Sequence, residues 1–169
     1  RLAVGNASGA SDFSGWGDAS SGGVTTTGEL RIWSEDNFGE DLLINPRDGA
    51  IYYWDRTGNV SSRAVEISTI AGADSTPTVA KQILVSDQDR HVIAFGANTF
   101  GTTVQDPLLI RFSSQENALN WDISDDGGTA GDLRLGGGSE FIQAVETKQA
   151  ILVFTDKTLH AMKFIGPPF

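Results

Sequence analysis

Residues 44–59 read INPRDGAIYYWDRTGN. Asp48-Gly49 is a tight-turn dipeptide and Thr57-Gly58-Asn59 a second turn signal, because Gly, Asn and Asp tolerate the backbone angles that turns demand. Between them Ile51-Tyr52-Tyr53-Trp54 is apolar or aromatic at four successive positions. Successive strand side chains point to opposite faces, so a one-sided sheet alternates apolar and polar residues. An unbroken run expects cover on both faces.

Two further tetrads have the same form, Val92-Ile93-Ala94-Phe95 and Ile151-Leu152-Val153-Phe154. Seven residues before each tetrad stands another apolar residue, Ile44, Val85 or Ala144, and a polar turn follows it: NPRDG, SDQDR or ETKQ. A third strand-like run comes after each tetrad: RAVEI, LLIRF or LHAMKF. The tetrads start at residues 51, 92 and 151, a degenerate repeat at propeller-blade spacing with an insertion between the second and third units. In a β-propeller the blades are small antiparallel sheets packed face to face, so their middle strands are covered on both sides. The fold expected is therefore all-β, built of antiparallel propeller blades. Closure takes about 4–8 blades, so three units imply part of a larger propeller. The abrupt start at Arg1 and the final GPPF fit a piece of a longer protein. A generic β-sandwich is the alternative.

The expected strands are 29–33, 41–45, 50–55, 62–67, 81–86, 90–96, 107–112, 141–146, 150–155 and 159–165, each bounded by Gly, Asp, Asn, Pro or Ser. SEFIQAVETKQ could also line a short helix, and the repeat register assigns 141–146 to a strand. Residues 1–28 read as a strand end followed by a Gly/Ser-rich loop, and 29–169 as about three blades of one domain. GGTAGDLRLGGG at 127–138 is a second Gly-rich, loop-like patch.

A chain of 169 residues suits one domain, and the absence of Cys rules out disulfides and thiolate chemistry. No apolar run approaches the ~20 residues of a membrane-spanning helix. Acidic residues outnumber basic ones by 22 to 12, and no basic stripe of a sequence-specific DNA reader is present. An acidic wall repels phosphate and so suits passive passage of DNA.

Little here points to reaction chemistry. His91 and His160 lie inside strand-like runs, with no spacing that pairs them with a nucleophile or metal partners. SDDGGTAG at 124–131 matches half of an Asp-box, but Gly131 stands where the aromatic belongs, so it reads as a turn. Asp87/Asp89 and Asp122/Asp125/Asp126 read as solvated loops; a weak calcium site is the lesser alternative, since no closing Glu follows Asp125. The Trp-Asp pairs at 54–55 and 121–122 lack the Gly-His partner of WD repeats and read as strand ends, with Trp in the core and Asp opening a turn. No catalytic residue, metal or cofactor is expected.

DPLLIRFSSQENALNWD at 106–122 is the most distinctive stretch. Pro107 opens a strand where proline is tolerated, and Arg111 among apolar residues seeks an acidic partner or an exposed edge. Gln115, Glu116, Asn117 and Asn120 form a candidate partner-contact loop, against the alternative of a loop that only packs a blade.

RIWSEDNFGEDLLINPRDGAIYYWD (31–55), DPLLIRFSSQENALNWDIS (106–124) and AILVFTDKTLHAMKFIGPP (150–168) resemble, in the same order, phrases of the tail nozzle or hub proteins of short-tailed bacteriophages, the tail tubular protein B-like virion proteins. Trp33, Asn37, Gly39, Asn45, Pro46, Gly49, Asp106, Pro107, Arg111, Gln115, Trp121, Thr155, Asp156 and Pro167 carry the match, and Trp54 reads as a structural residue beside them. Residues 6–28 have no counterpart. The resemblance implies a propeller-bearing structural protein of the virion tail, assembled in the host cytoplasm. It implies a ring of copies around the DNA ejection channel, with the adaptor ring and fibres or needle as partners and no catalytic residues. A propeller platform for fibres or a host receptor is the alternative. A glycan-degrading enzyme is less favoured, because no carboxylate pair is recognisable as acid and nucleophile.

Overall fold

The computed structural model describes residues 32–58 and 60–163. The expected loop over 1–28, Asn59 and Pro167 lie outside the described residues. All the described strands belong to one compact unit that begins at Trp33. The first sheet is β1 (Trp33–Phe38), β2 (Asp41–Pro46), β3 (Tyr52–Trp54) and β4 (Val65–Glu66), followed by one 3₁₀ turn at Ile67–Thr69. The second is β5 (Gln82–Val85), β6 (Val92–Phe95), β7 (Leu109–Phe112) and β8 (Gly131–Arg134). The third is β9 (Phe141–Glu146), β10 (Ile151–Thr155) and β11 (Leu159–Met162). Each sheet is an antiparallel meander in chain order. Among the described residues the three sheets form no closed barrel or ring.

Turn chemistry sets the hairpins. Gly39 takes the first of two loop positions between β1 and β2, at φ +70°, which suits a tight hairpin turn. Between β2 and β3 the fully buried Asn45 pins the turn, its Nδ2 donating to the carbonyls of Gly49 (2.9 Å) and Ala50 (3.2 Å).

Two apolar clusters hold the sheets together, one on each face of the second sheet. Leu43, Ile51 and Tyr53 of the first sheet and its β2–β3 turn meet Ile83, Val85, Val92 and Ala94, with Ile67 and Trp121. On the other side Ile93, Phe95 and Ile110 meet Phe141, Ala144, Ile151 and Val153 of the third sheet. The rings of Phe95 and Phe141 stack, with centroids 5.0 Å apart. Val92–Phe95 is thus buried at every position, alternate residues serving different clusters.

The other two tetrads differ from the expectation. Tyr52, Tyr53 and Trp54 are only half-buried, and Ile151–Phe154 alternates between buried and more exposed. Only the second sheet has a described neighbour on both faces. The repeat register also differs. Ile51–Trp54 leads into the third strand of its sheet, whereas Val92–Phe95 and Ile151–Phe154 form second strands. The structural counterpart of those two is β2, which carries Asp41 and the buried Asn45 and so shows no apolar tetrad.

The window 141–146 is a strand, as expected. Of the strand expected over 29–33 only Ile32 and Trp33 lie within the described residues; β1 begins at Trp33 and extends to Phe38, a stretch polar at four of its six positions that gives no apolar signal. The Gly-rich patch contains β8, whose Gly131 lies opposite Phe112, so the ring covers the space a side chain would take. The run 62–67 shortens to Val65–Glu66, and the strand expected from Pro107 starts at Leu109.

Candidate interface on the strand edges and end faces

A sheet edge leaves N–H and C=O groups unpaired, and these need partners when buried. The first strands β1, β5 and β9 lie beside one another, and side chains bridge their edges. Ser34 Oγ accepts the Ile83 N–H at 3.1 Å, and Asp36 Oδ2 accepts the Val85 N–H at 2.8 Å. One sheet on, Gln82 Nε2 donates to the Ala144 carbonyl, and the Ala144 N–H donates to Gln82 Oε1, both at 2.9 Å. The rule is the same at both junctions: polar side chains of one first strand satisfy the open edge of the next.

Longer side chains add further links between the sheets. Lys81 Nζ lies 3.0 Å from Glu140 and 3.8 Å from Asp48, so it links the third sheet to a turn of the first. Arg47 Nη1 donates to the Ile142 carbonyl at 3.4 Å. Acid gathers along the same edges: Glu146 Oε1 accepts the Asp87 N–H at 3.0 Å. Burial holds the Glu146 carboxyl above its ordinary range, the nearby charges of Asp87 and Asp36 add to this, and the Asp87 N–H opposes it.

The two outer faces of the sheet series carry apolar side chains. On the first sheet, strand register places Trp33, Leu42, Ile44, Tyr52 and Trp54 on the face away from the second. Trp54 is half-buried there rather than in the core, and its Nε1 donates to the Ser62 carbonyl at 3.0 Å. On the third sheet Val145, Leu152 and Ala161 form one row and Gln143, Phe154 and Leu159 the next. Val145, Phe154 and Leu159 are 44%, 38% and 57% exposed. These adjacent exposed apolar rows make this face a candidate interface.

The residues singled out from the sequence have different surroundings. Gln115, Glu116 and Asn117 form an exposed tip beside the buried Ser113, Ser114 and Ala118. Asn120 is instead a structural pin, its Oδ1 accepting the Asp122 N–H at 3.0 Å and its Nδ2 donating to Asp125 Oδ2 at 3.2 Å. Trp33, Asn37 and Gly39 are exposed along β1 and its turn. Asp106 caps the entry to β7, accepting the Leu108 N–H at 2.9 Å and pairing with Arg134 at 2.6 Å. Burial opposes its ionisation, but the Arg134 bond and the Leu108 N–H hold the carboxyl below its ordinary range. The Pro107 carbonyl accepts the Phe141 N–H at 2.9 Å, tying the second sheet to β9.

Trp121 is fully buried and Asp122 opens a turn, as expected, but the pair lies in the loop between β7 and β8 rather than at a strand end. Arg111 departs from expectation. It is buried with no exposed edge and, among the described residues, no acidic ion-pair partner, and its Nη2 donates to the carbonyls of Ser75 and Trp121. Ser34, Asp36 and Gln82 carry no signal of this role in the sequence, since Ser34-Glu35-Asp36-Asn37 is polar throughout and does not mark which side chains face a neighbouring strand.

His91 Nδ1 lies 2.6 Å from the Ser113 carbonyl and His160 Nε2 2.8 Å from Thr158 Oγ1, so both histidines are hydrogen-bonded. Asp125 caps Gly127, making the 124–128 segment a turn. Among the described residues no group of three or more His, Cys, Asp or Glu side chains is arranged to hold a metal, and no helix is long and apolar enough to cross a membrane. No known family profile matches the chain, and no curated protein or solved structure matches it significantly.

Proposed function

We propose that this chain is a structural component of a short-tailed phage virion tail, a segment of the nozzle or hub. Its three sheets are blades of a larger propeller, and copies stand in a ring around the channel through which DNA leaves. The observation that carries this reading is the repeated junction. Each first strand satisfies the edge of the next, and the outermost sheets end in apolar faces, an arrangement that further sheets of the same kind would continue. The resemblance in motif order supports the placement in a tail. Net charge −10 suits a wall past which a polyanion slides without sticking. The role is that of a passive conduit, with no turnover.

The exposed tip Gln115–Asn117 favours a compatible second role as a docking platform for fibres or the adaptor ring. Cryo-electron microscopy of assembled particles tests the main proposal. The expected result is density for this chain in a ring on the tail axis, with its meander sheets wedged about a centre. A protein that stays monomeric and is absent from virions refutes it.

A further inference from the structure

Arg111 is 1% exposed, yet among the described residues Nη2 is the only one of its three guanidinium nitrogens that finds an acceptor, at 2.5 Å from the Ser75 carbonyl and 3.2 Å from that of Trp121. Its Nε is buried without a partner. Asp132 lies opposite in the β7–β8 register and its charge favours the guanidinium, but it is exposed, and among the described residues Arg111 makes no ion pair. The Phe100 ring packs 5.7 Å from the guanidinium carbon. A guanidinium keeps its charge in proteins, and a buried charge is costly unless it is paired. Two carbonyls on one nitrogen, an aromatic face and one exposed carboxylate balance this one only in part.

The same side chain lines a cleft of about 560 Å³ with Ser75, Thr76, Thr78, Thr102 and Thr103. Asn98 fixes the cleft's two walls: its Oδ1 accepts the Thr78 N–H at 2.8 Å, and its Nδ2 donates to the Thr102 carbonyl at 2.6 Å. Among the described residues the hydroxyls of Thr76, Thr78 and Thr103 have no protein partner, and no carboxylate lines the cleft. We propose that this cleft binds a small oxyanion, with Arg111 supplying the charge and the threonine hydroxyls the neutral donors. Charged and neutral donors converging in one concavity are the chemistry a carboxylate or phosphate group needs. The inference is independent of the tail assignment.

The test is thermal unfolding and calorimetric titration of the whole chain with sodium phosphate, sodium acetate or sodium chloride at matched ionic strength. A ligand that binds only the folded state raises its unfolding midpoint with concentration. Phosphate or acetate is expected to bind saturably and raise the midpoint, with chloride inert; the stronger of the two tells a phosphate from a carboxylate site. Arg111→Met should abolish the effect, and Thr103→Val, at an exposed position, should weaken affinity several-fold. Should Arg111→Met fail to fold, Thr78→Val with Thr103→Val serves in its place, expected to weaken binding at least tenfold. Absence of a saturable effect in the wild type, or full retention of it in the variants, overturns the proposal.

Discussion

Gln82 and Ala144 exchange two hydrogen bonds, both at 2.9 Å, between a side-chain amide of the second sheet and the backbone of the third. The amide thus stands in for one residue of a neighbouring strand. Leaving a buried donor and acceptor unpaired costs about 1–3 kcal/mol. Gln82→Ala is expected to destabilise by that amount in urea unfolding and to speed hydrogen exchange at the Ala144 amide. Gln82→Glu keeps the acceptor, loses the donor and should also destabilise. If both variants stay within about 0.5 kcal/mol of the wild type, the junction is not energetic.

Gly138 has φ +90°, and a Cβ there would stand 2.6 Å from Thr155 Oγ1 and 2.7 Å from Asp156 Oδ1. Gly138→Ala should cost about 1–3 kcal/mol through backbone strain and overpacking. At Gly136 a Cβ meets nothing within 4 Å and φ is not positive. Gly136→Ala should therefore be neutral or stabilise by about 0.4–1 kcal/mol, through a less flexible unfolded chain. Equal effects at the two sites would count against this geometry.

Trp121 has no exposed surface, and its Nε1 donates to the Ala118 carbonyl at 2.8 Å. Trp121→Ala should cost about 3–5 kcal/mol, the range for emptying a large aromatic site. Trp121→Phe should cost less, since it retains most of the volume and loses the hydrogen bond. A near-neutral Trp121→Ala in chemical unfolding would show that this loop does not key the first two sheets together.

Acid should act in two opposite ways. The carboxyls of Asp55, Asp122 and Asp156 sit below their ordinary value of 3.8, held there by the Thr57 hydroxyl, the Ser124 hydroxyl and the Ser139 N–H respectively. Their contribution is present above 3.8 and lost as pH falls through the lowered folded values. Glu146 is raised above 4.5, so its ionised form disfavours the fold, and stability declines as pH rises from 4.5 through the raised value. Glu146→Gln, which can still accept the Asp87 N–H, should match the wild type below pH 4.5 and equal or exceed it at pH 7. Urea midpoints at pH 4 and pH 7 decide this; a variant weaker only at pH 7 would reverse the sign.

Phe154 and Leu159 lie side by side on the outer face of the third sheet. Phe154→Lys combined with Leu159→Lys should leave the urea midpoint nearly unchanged and abolish concentration-dependent association in sedimentation. Unaltered association would remove this face from the proposed assembly.

Much of the architecture was legible in local pattern. The strands at 41–46, 82–85, 92–95, 141–146 and 151–155 follow from short apolar runs between turn residues. β1 and β8 were not legible, for one is written in Ser, Glu, Asp and Asn and the other sits in glycine. Their places depend on what lies alongside: Val85 and Ile83 for Asp36 and Ser34, and Phe112 for Gly131. In the contact loop, exposure at Gln115–Asn117 accompanied a polar run, but the pinning role of Asn120 needed the positions of Asp122 and Asp125.

By itself the chain's order of residues determined that it would be all-β, acidic, cysteine-free and built of short antiparallel meanders. Period-two patterning and turn chemistry act over a few residues, so they can be read locally. Only the tertiary structure decided which tetrad is covered on both faces, which strand edges are bridged by side chains, and that Arg111 is buried beside carbonyls rather than an acid. Each of those outcomes rests on groups tens of residues apart in the chain, and burial and pairing are settled by what finally lies across from a side chain.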